Sequence, residues 1–184
     1  MFYILRHGRT DWNEEHRLQG EVDIPLNETG RQMAYDAAEK YKDIDFDICY
    51  CSPLKRAQET ARIFLADRSP AVEIITDNRL HEMCFGDYEG VKNIRQKPEC
   101  PVYLLFEEPE KYVAKDGAES FEELYHRTGE FIEQVLRPRL AAGKNVLVVG
   151  HGAMNCSIVN QFRGTPIKDF WKDMQGNCEL LRVE

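Results

Sequence analysis

Phe2-Tyr3-Ile4-Leu5-Arg6-His7-Gly8 is an apolar run that reads as a strand and then delivers an arginine, a histidine and a glycine in succession. A strand ending in a basic pair suits the carboxyl edge of an open α/β sheet, where such folds hold their ligands. There His7 could serve as a nucleophile and Arg6 could hold an anion. Alone, the pair is better read as a capped strand end with solvated charges. A second run with the same punctuation changes that reading: Val146-Leu147-Val148-Val149 leads directly into Gly150-His151-Gly152. If both strands are central and parallel, both imidazoles emerge at one edge.

The stretch between these strands alternates helix and strand patterns. Residues 8–28 read as a polar loop carrying Asn13, Gln19 and Gly20. Thr29-Gly30-Arg31-Gln32 has capping-box spacing and opens a helix with Met33, Ala34, Ala37, Ala38 and Tyr41 on its apolar face. Residues 45–51 read as a buried strand. Ser52-Pro53 then starts a second helix, with Ser52 as its cap, Pro53 at its first position and Arg56 in its first turn. A short strand over 72–76 precedes a loop that holds Glu82. Ser120-x-x-Glu123 opens a long amphipathic helix expected to end before Pro138. Residues 145–149 form a strand, 153–162 a helix and 179–183 a final strand. This order predicts an α/β fold, a three-layer α/β/α sandwich around a mostly parallel central sheet.

The totals set the frame. A chain of 184 residues is expected to form one domain, 1–184, able to bury a core without disulfides or metals. The one irregular stretch, 91–118, reads as an insertion that covers a site. Its five basic residues (Lys92, Arg95, Lys97, Lys111, Lys115) balance five acidic ones (Glu99, Glu107, Glu108, Glu110, Asp116). A formal net charge of -8 argues against nucleic acid or an anionic membrane as the partner. No apolar run approaches the roughly 18 residues needed to span a bilayer, and no signal segment is read before the first strand. Six scattered cysteines without a CxxC pair read as reduced thiols of a cytoplasmic protein. The oligomeric state stays open, a homodimer included.

Strand two would bring Arg56 to the same edge as the two histidines, and the loop after strand three would bring Glu82. Two histidines, two arginines and one glutamate in one pocket suit phosphoryl transfer through a phosphohistidine. Neutral His7 attacks phosphorus, and the neighbouring positive charges favour its neutral form. Arg6, Arg56 and His151, the last best as a cation, hold the equatorial oxygens. Glu82 protonates the leaving oxygen and later takes a proton from the attacking water. Asn13 and Gln19 can add hydrogen bonds, while Gly8, Gly20 and Gly152 allow close backbone approach to phosphate.

These residues carry a resemblance. Leu5-Arg6-His7-Gly8-Arg9-Thr10-Asp11-Trp12-Asn13 resembles the signature of the histidine phosphatase superfamily, in its phosphoglycerate mutase-like branch. So do Leu18-Gln19-Gly20, Pro25-Leu26-Asn27-Glu28-Thr29-Gly30, Cys51-Ser52-Pro53-Leu54-Lys55-Arg56-Ala57-Gln58-Glu59-Thr60-Ala61, Leu80-His81-Glu82 and Val149-Gly150-His151-Gly152. The resemblance implies a phosphoglycerate mutase-like fold, His7 as the phosphorylated nucleophile and Glu82 as proton donor. It implies a phosphate pocket of Arg6, Arg56 and His151, with Asn13 and Gln19 as further ligands. It implies no metal and no cofactor. The branch holds both phosphatases and mutases, and mutases carry an adjacent arginine pair in the segment after the glutamate. None stands between 91 and 118, so a phosphatase of a small phosphorylated metabolite is the expected function. A cofactor-dependent phosphoglycerate mutase is the alternative. A non-catalytic phospho-ligand module would be expected to lack one of the five catalytic positions, and all five are filled.

His16, His81 and His126 show no metal-ligand spacing, although His81, beside Glu82, could reach substrate. Trp12, Phe85, Tyr88, Phe106 and Tyr112 are aromatic candidates for the pocket wall, with core packing the simpler expectation. Trp171 reads as core or interface.

Overall fold

The computed structural model describes residues 1–184 around one five-stranded sheet. β1 (Phe2–Arg6), β2 (Ile48–Cys51), β3 (Glu73–Thr76) and β4 (Val146–Gly150) are parallel, and β5 (Leu180–Arg182) pairs antiparallel with β1. The helices are α1 (Asp11–Glu14), α2 (Glu28–Lys40), α3 (Lys55–Leu65), α4 (Tyr103–Glu107), α5 (Phe121–Phe131), α6 (Arg137–Ala141) and α7 (Gly152–Arg163). The sheet order is β3-β2-β4-β1-β5, so the two strands followed by histidine are neighbours. Arg6 pairs with Gly150, which sets His7 and His151 level at the carboxyl edge.

Strand periodicity builds the layers, because successive side chains point to opposite faces. Tyr3, Leu5, Cys49, Cys51, Leu147 and Val149 meet Ala34 and Ala37 of α2 and Ala57, Ala61 and Phe64 of α3. The alternate residues Phe2, Ile4, Ile48, Tyr50, Val146 and Val148 meet Phe131 of α5 and Met154, Ile158 and Val159 of α7. The α/β/α sandwich of the sequence reading is the observed architecture. A third cluster joins Leu18, Met83 and Phe85 to Val102 and Leu105, which anchors the 91–118 segment beside the carboxyl edge. That segment holds α4 and two 3-10 turns, Ile94–Gln96 and Pro109–Lys111.

Several local expectations are corrected. The polar loop after β1 contains α1, whose capping box joins Thr10 to Asn13. α2 starts at Glu28 and is capped by Asn27, whose Oδ1 accepts from the Gly30 N–H at 2.9 Å; Thr29 lies inside the helix and Gln32 bonds Asp36 instead. α3 starts at Lys55, so neither Ser52 as cap nor Pro53 at the first position holds. The Ser52 hydroxyl accepts the Leu54 N–H at 3.3 Å, short of the helix itself, and lies 2.7 Å from His151. The long helix does not stop before Pro138. A π turn over Ile132–Leu136 precedes α6, which runs to Ala141. Proline lacks an N–H and its ring crowds the carbonyl four residues back, and the wider π turn absorbs both demands.

Candidate active site

β1 hands Arg6, His7 and Gly8 to the carboxyl edge in consecutive order. Gly8 is needed there because a Cβ would stand 2.4 Å from the Gly30 carbonyl oxygen, inside α2. The Gly8 N–H donates to Thr60 Oγ1 at 3.0 Å, and Thr60 donates to the Arg56 carbonyl at 2.7 Å, which ties β1 to α3. The Gly8 carbonyl lies 2.6 Å from His7 Nδ1. A carbonyl only accepts, so Nδ1 carries the proton, and Nε2 has no protein partner.

His7 is buried, and so are His151, Arg56, Glu82 and Gln19. Burial, then the Arg56 charge, then that of Arg6 hold the His7 imidazole well below its ordinary value, against the opposing bond to Gly8. It is therefore neutral near pH 7, with the Nε2 lone pair free. Its ring lies 5.1 Å from that of His151, centroid to centroid.

His151 departs from the expected cation. Arg56 Nε donates to its Nδ1 at 3.2 Å, and a guanidinium has only donors, so Nδ1 is unprotonated. Its Nε2–H then donates to Ser52 Oγ at 2.7 Å. Burial, Arg56, His7, Arg6 and His81 lower its pKa well below the ordinary value, in that order. His151 is a neutral imidazole in the resting protein. Asn155, one helical turn on, accepts from the His151 N–H at 3.1 Å and donates to Gln175, fixing the start of α7.

Arg56 stands in the first turn of α3 and is fully buried. Its Nη1 donates to the Val22 carbonyl at 2.8 Å and its Nη2 to the Gly20 carbonyl at 2.7 Å. Burial pushes the guanidinium down to about 10, with Glu82, Asp23 and Glu89 opposing. It stays charged at neutral pH. Arg6 donates to the Gln175 carbonyl at 2.8 Å, while its buried Nε has no partner. Burial lowers its pKa, and Glu82 opposes the shift.

Glu82 caps α7, which has no side-chain cap of its own. Its Oε2 accepts from the N–H groups of Gly152 (2.8 Å) and Ala153 (3.2 Å), and its Oε1 from those of Met83 and Met154 (2.9 Å each). A Cβ at Gly152 would approach nothing closer than 3.5 Å, but it would occupy the space between Glu82 Oε2 and Arg6 Cζ. Thr10 Oγ1 faces the carbonyl oxygens of Asn13 (3.1 Å) and Gln19 (3.0 Å), which leaves both amide NH₂ groups without protein partners.

The structure brings all nine of these sequence candidates together. Arg6, His7, Asn13, Gln19, Gly20, Arg56, Glu82 and Gly152 line one cavity of about 100 Å³, and His151 backs it through Arg56 and Ser52. Glu82 is the one carboxylate in the lining. Phe85 and Phe106 also line it, whereas Trp12, Tyr88 and Tyr112 do not. His81 turns to Glu21 and to the Glu82 carbonyl, away from the cavity. The cavity opens into a wider recess of about 820 Å³ that adds Arg9, Asn93, Ile94 and Arg95.

Sequence reasoning missed Ser52 as a partner of His151, and its place directly after β2 was the available signal. It missed Asn155 too, where the four-residue spacing from His151 was the signal. Trp171 and Met174 in the lining, and Gln175 and Asn177 behind Arg6 and His7, had none. They come from an irregular segment that only the folded chain returns to the edge. No group of three or more His, Cys, Asp or Glu side chains is placed to hold a metal ion.

Such a site can bind a phosphoryl group and present a neutral imidazole nitrogen to it. The family model for the histidine phosphatase superfamily (branch 1) matches residues 2–184. Among curated relatives, the uncharacterized phosphatase PhoE of Bacillus subtilis strain 168 is 33% identical over 161 residues, covering 88% of this chain and 76% of its own. A 2,3-bisphosphoglycerate-dependent phosphoglycerate mutase of Gloeobacter violaceus is 32% identical over 154 residues, covering 83% and 70%. Among solved structures, YhfR of Bacillus stearothermophilus superposes with a TM-score of 0.84 at 32% identity, over 96% of this chain and 86% of that one. With the fold, the two histidines and the match over nearly every residue in agreement, the chain belongs to the histidine phosphatase superfamily, branch 1, as one of its enzymes.

Proposed function

We propose that this enzyme is a metal-independent phosphomonoesterase that hydrolyses a small phosphorylated metabolite through a phosphohistidine on His7. The observation that carries the reading is the state of His7: a buried neutral imidazole, held through Nδ1 with Nε2 free, beside the buried guanidinium of Arg56 and the half-buried one of Arg6. Nε2 attacks phosphorus and the bond to the leaving oxygen breaks. Arg6, Arg56 and the amide groups of Asn13 and Gln19 hold the equatorial oxygens as charge spreads over them. Incoming negative charge reverses the local field at His151 and favours its protonation, so the cationic form belongs to the loaded site. Glu82, the sole carboxylate of the lining, takes up the proton of the incoming phosphate monoester as it exchanges backbone donors for the leaving oxygen, and passes that proton to the leaving oxygen. It then takes a proton from the water that cleaves the phosphohistidine.

Hydrolysis is favoured over mutase chemistry by the pairing of the 91–118 segment. Lys92 bonds Glu15 at 2.9 Å, Arg95 bonds Glu107 at 2.8 Å, and Lys111 bonds Glu108. Three of its basic groups are thus neutralised before any substrate carboxylate or second phosphate arrives. The alternative, a cofactor-dependent phosphoglycerate mutase, draws its support from relatives of that name. Six free thiols suit a reducing, cytoplasmic compartment.

Release of inorganic phosphate from a panel of phosphomonoesters, with EDTA present, tests the reading beside a 3-phosphoglycerate isomerisation assay. Hydrolysis with negligible isomerisation is expected. His7→Ala should lower turnover by at least about 10³-fold and abolish acid-labile phosphoenzyme while the fold persists. Substantial metal-independent turnover by that variant would remove His7 as nucleophile.

A further inference from the structure

Arg56 has an unusual dependence on backbone. Two of its three protein hydrogen bonds go to carbonyls, those of Gly20 and Val22. Both lie in the 19–22 turn, which belongs to no strand or helix. What fixes that turn also fixes the guanidinium.

One side chain does so. Glu89 Oε1 accepts from the Glu21 N–H at 2.8 Å and Oε2 from the Val22 N–H at 2.9 Å. Oε1 also takes the Phe85 N–H at 3.2 Å, so a single carboxylate clamps the 19–22 turn to the 85–90 loop. The neighbouring Gly90 N–H donates to the Leu18 carbonyl at 2.7 Å and extends the seam. Gly20 is shaped to this clamp. Its φ is +55°, and a Cβ there would stand 1.9 Å from Glu89 Oε1. The turn thus offers its N–H groups to Glu89 and its carbonyls to Arg56, an anion and a cation joined through a few peptide units. The Glu89 charge also supports that of Arg56. Nothing in the phosphoryl-transfer steps uses Glu89, and it does not line the cavity.

We propose that Glu89 is a positioning residue: through the backbone of the 19–22 turn it sets where the Arg56 guanidinium stands, and thereby how tightly the site holds a phosphoryl group. This role rests on the phosphatase reading above. Removing the carboxylate frees N–H groups that must find new acceptors, and the turn and its two carbonyls move with them. Glu89→Gln keeps the shape but turns an NH₂ toward N–H donors, so it should fail in the same way. Glu89→Asp, with the same charge one methylene shorter, should recover part of the loss.

The test is orthovanadate affinity by isothermal titration, with turnover of p-nitrophenyl phosphate and the thermal midpoint measured alongside. Glu89→Ala and Glu89→Gln are expected to weaken vanadate binding and lower kcat/KM by about 10- to 100-fold. In an Arg56→Ala background, Glu89→Ala should add less than about 2-fold, because the two act through one interaction. Asp47→Ala is the structural control. Asp47 also accepts a backbone N–H, from Asn145 at 2.7 Å, but at the opposite end of the sheet. It should lower the thermal midpoint and leave vanadate affinity unchanged. Wild-type vanadate affinity in Glu89→Ala, or a loss that multiplies in full on Arg56→Ala, would overturn the role of Glu89 alone. A wild-type chain that binds no vanadate and releases no phosphate would overturn the phosphatase reading and this role with it. If Glu89→Ala does not fold, Glu89→Gln and Glu89→Asp decide by the same measurements.

Discussion

At the scale of single residues, the site is two buried imidazoles kept neutral by burial and by neighbouring guanidinium groups. An unfolded histidine titrates near pH 6.5, at about its reference value. With both folded values depressed, the unfolded chain binds more protons than the native one just below that pH, and stability falls as pH falls. The stability from keeping His7 and His151 neutral is fully present above about pH 6.5 and is lost as pH drops toward the folded values. Urea midpoints between pH 8 and pH 5 should show this slope, and His7→Asn should make it shallower. The same depression keeps the nucleophile unprotonated below pH 6.5. The acid limb of kcat/KM should therefore lie below an ordinary histidine titration, and an acid limb centred at 6.5 would contradict the neutral His7. These residues were legible because each follows an apolar strand or opens a helix pattern. Their protonation was only half legible. The expected cation at His151 fails because Arg56, named in the same reading, spends a donor on the imidazole itself.

At the scale of elements, patterns were read more safely than ends. Thr29 and Gln32 have capping-box spacing, yet Asn27 caps α2, because its Oδ1 reaches the Gly30 N–H from an extended backbone with φ -89° and ψ 179°, while Thr29 already lies inside the helix. Asn27→Ala should destabilise the protein by about 1 kcal/mol, while Thr29→Ala should stay within about 0.5 kcal/mol, both by urea denaturation. Equal effects would restore the sequence-read cap. Ser52 and Pro53 look like a helix start and are not one: the backbone is still extended at Leu54, and the Ser52 hydroxyl, besides accepting the Leu54 N–H, is held by His151. Pro138 reads as a stop and is passed, since a π turn relieves the clash that the rule assumes. In each case a competing partner or an alternative geometry, invisible in the local sequence, overrode a sound local preference.

At the scale of the whole molecule, phosphate binding is linked to folding, since a site made from β1, α3, β4 and several loops exists only in the native chain. Orthovanadate at 100 times its Kd should stabilise the native state by about 2.7 kcal/mol. For a chain of this length that corresponds to a rise in Tm of roughly 5–10 °C. Differential scanning fluorimetry would read it, and no shift at saturation would count against a preformed site. The recess beyond the cavity is lined by Arg9, Arg17 and Arg95 together with Glu14, and Arg17 and Arg95 are ion-paired with Glu15 and Glu107.

The amino-acid sequence by itself determined the α/β class, the parallel strands and the seven side chains and two glycines that meet at the edge, because strand periodicity and the residues punctuating strand ends are local signals. Only the tertiary structure decided which hydrogen bonds those side chains make. It set the proton on His7 Nδ1 through Gly8, made His151 neutral through Arg56 and Ser52, and placed Glu82 at the start of α7. It also brought Gln175, Asn177 and Trp171 back from the far end of the chain, and Glu89 across from another loop. Protonation and position depend on partners distant in sequence, and those partners exist only once the sheet has drawn the segments together.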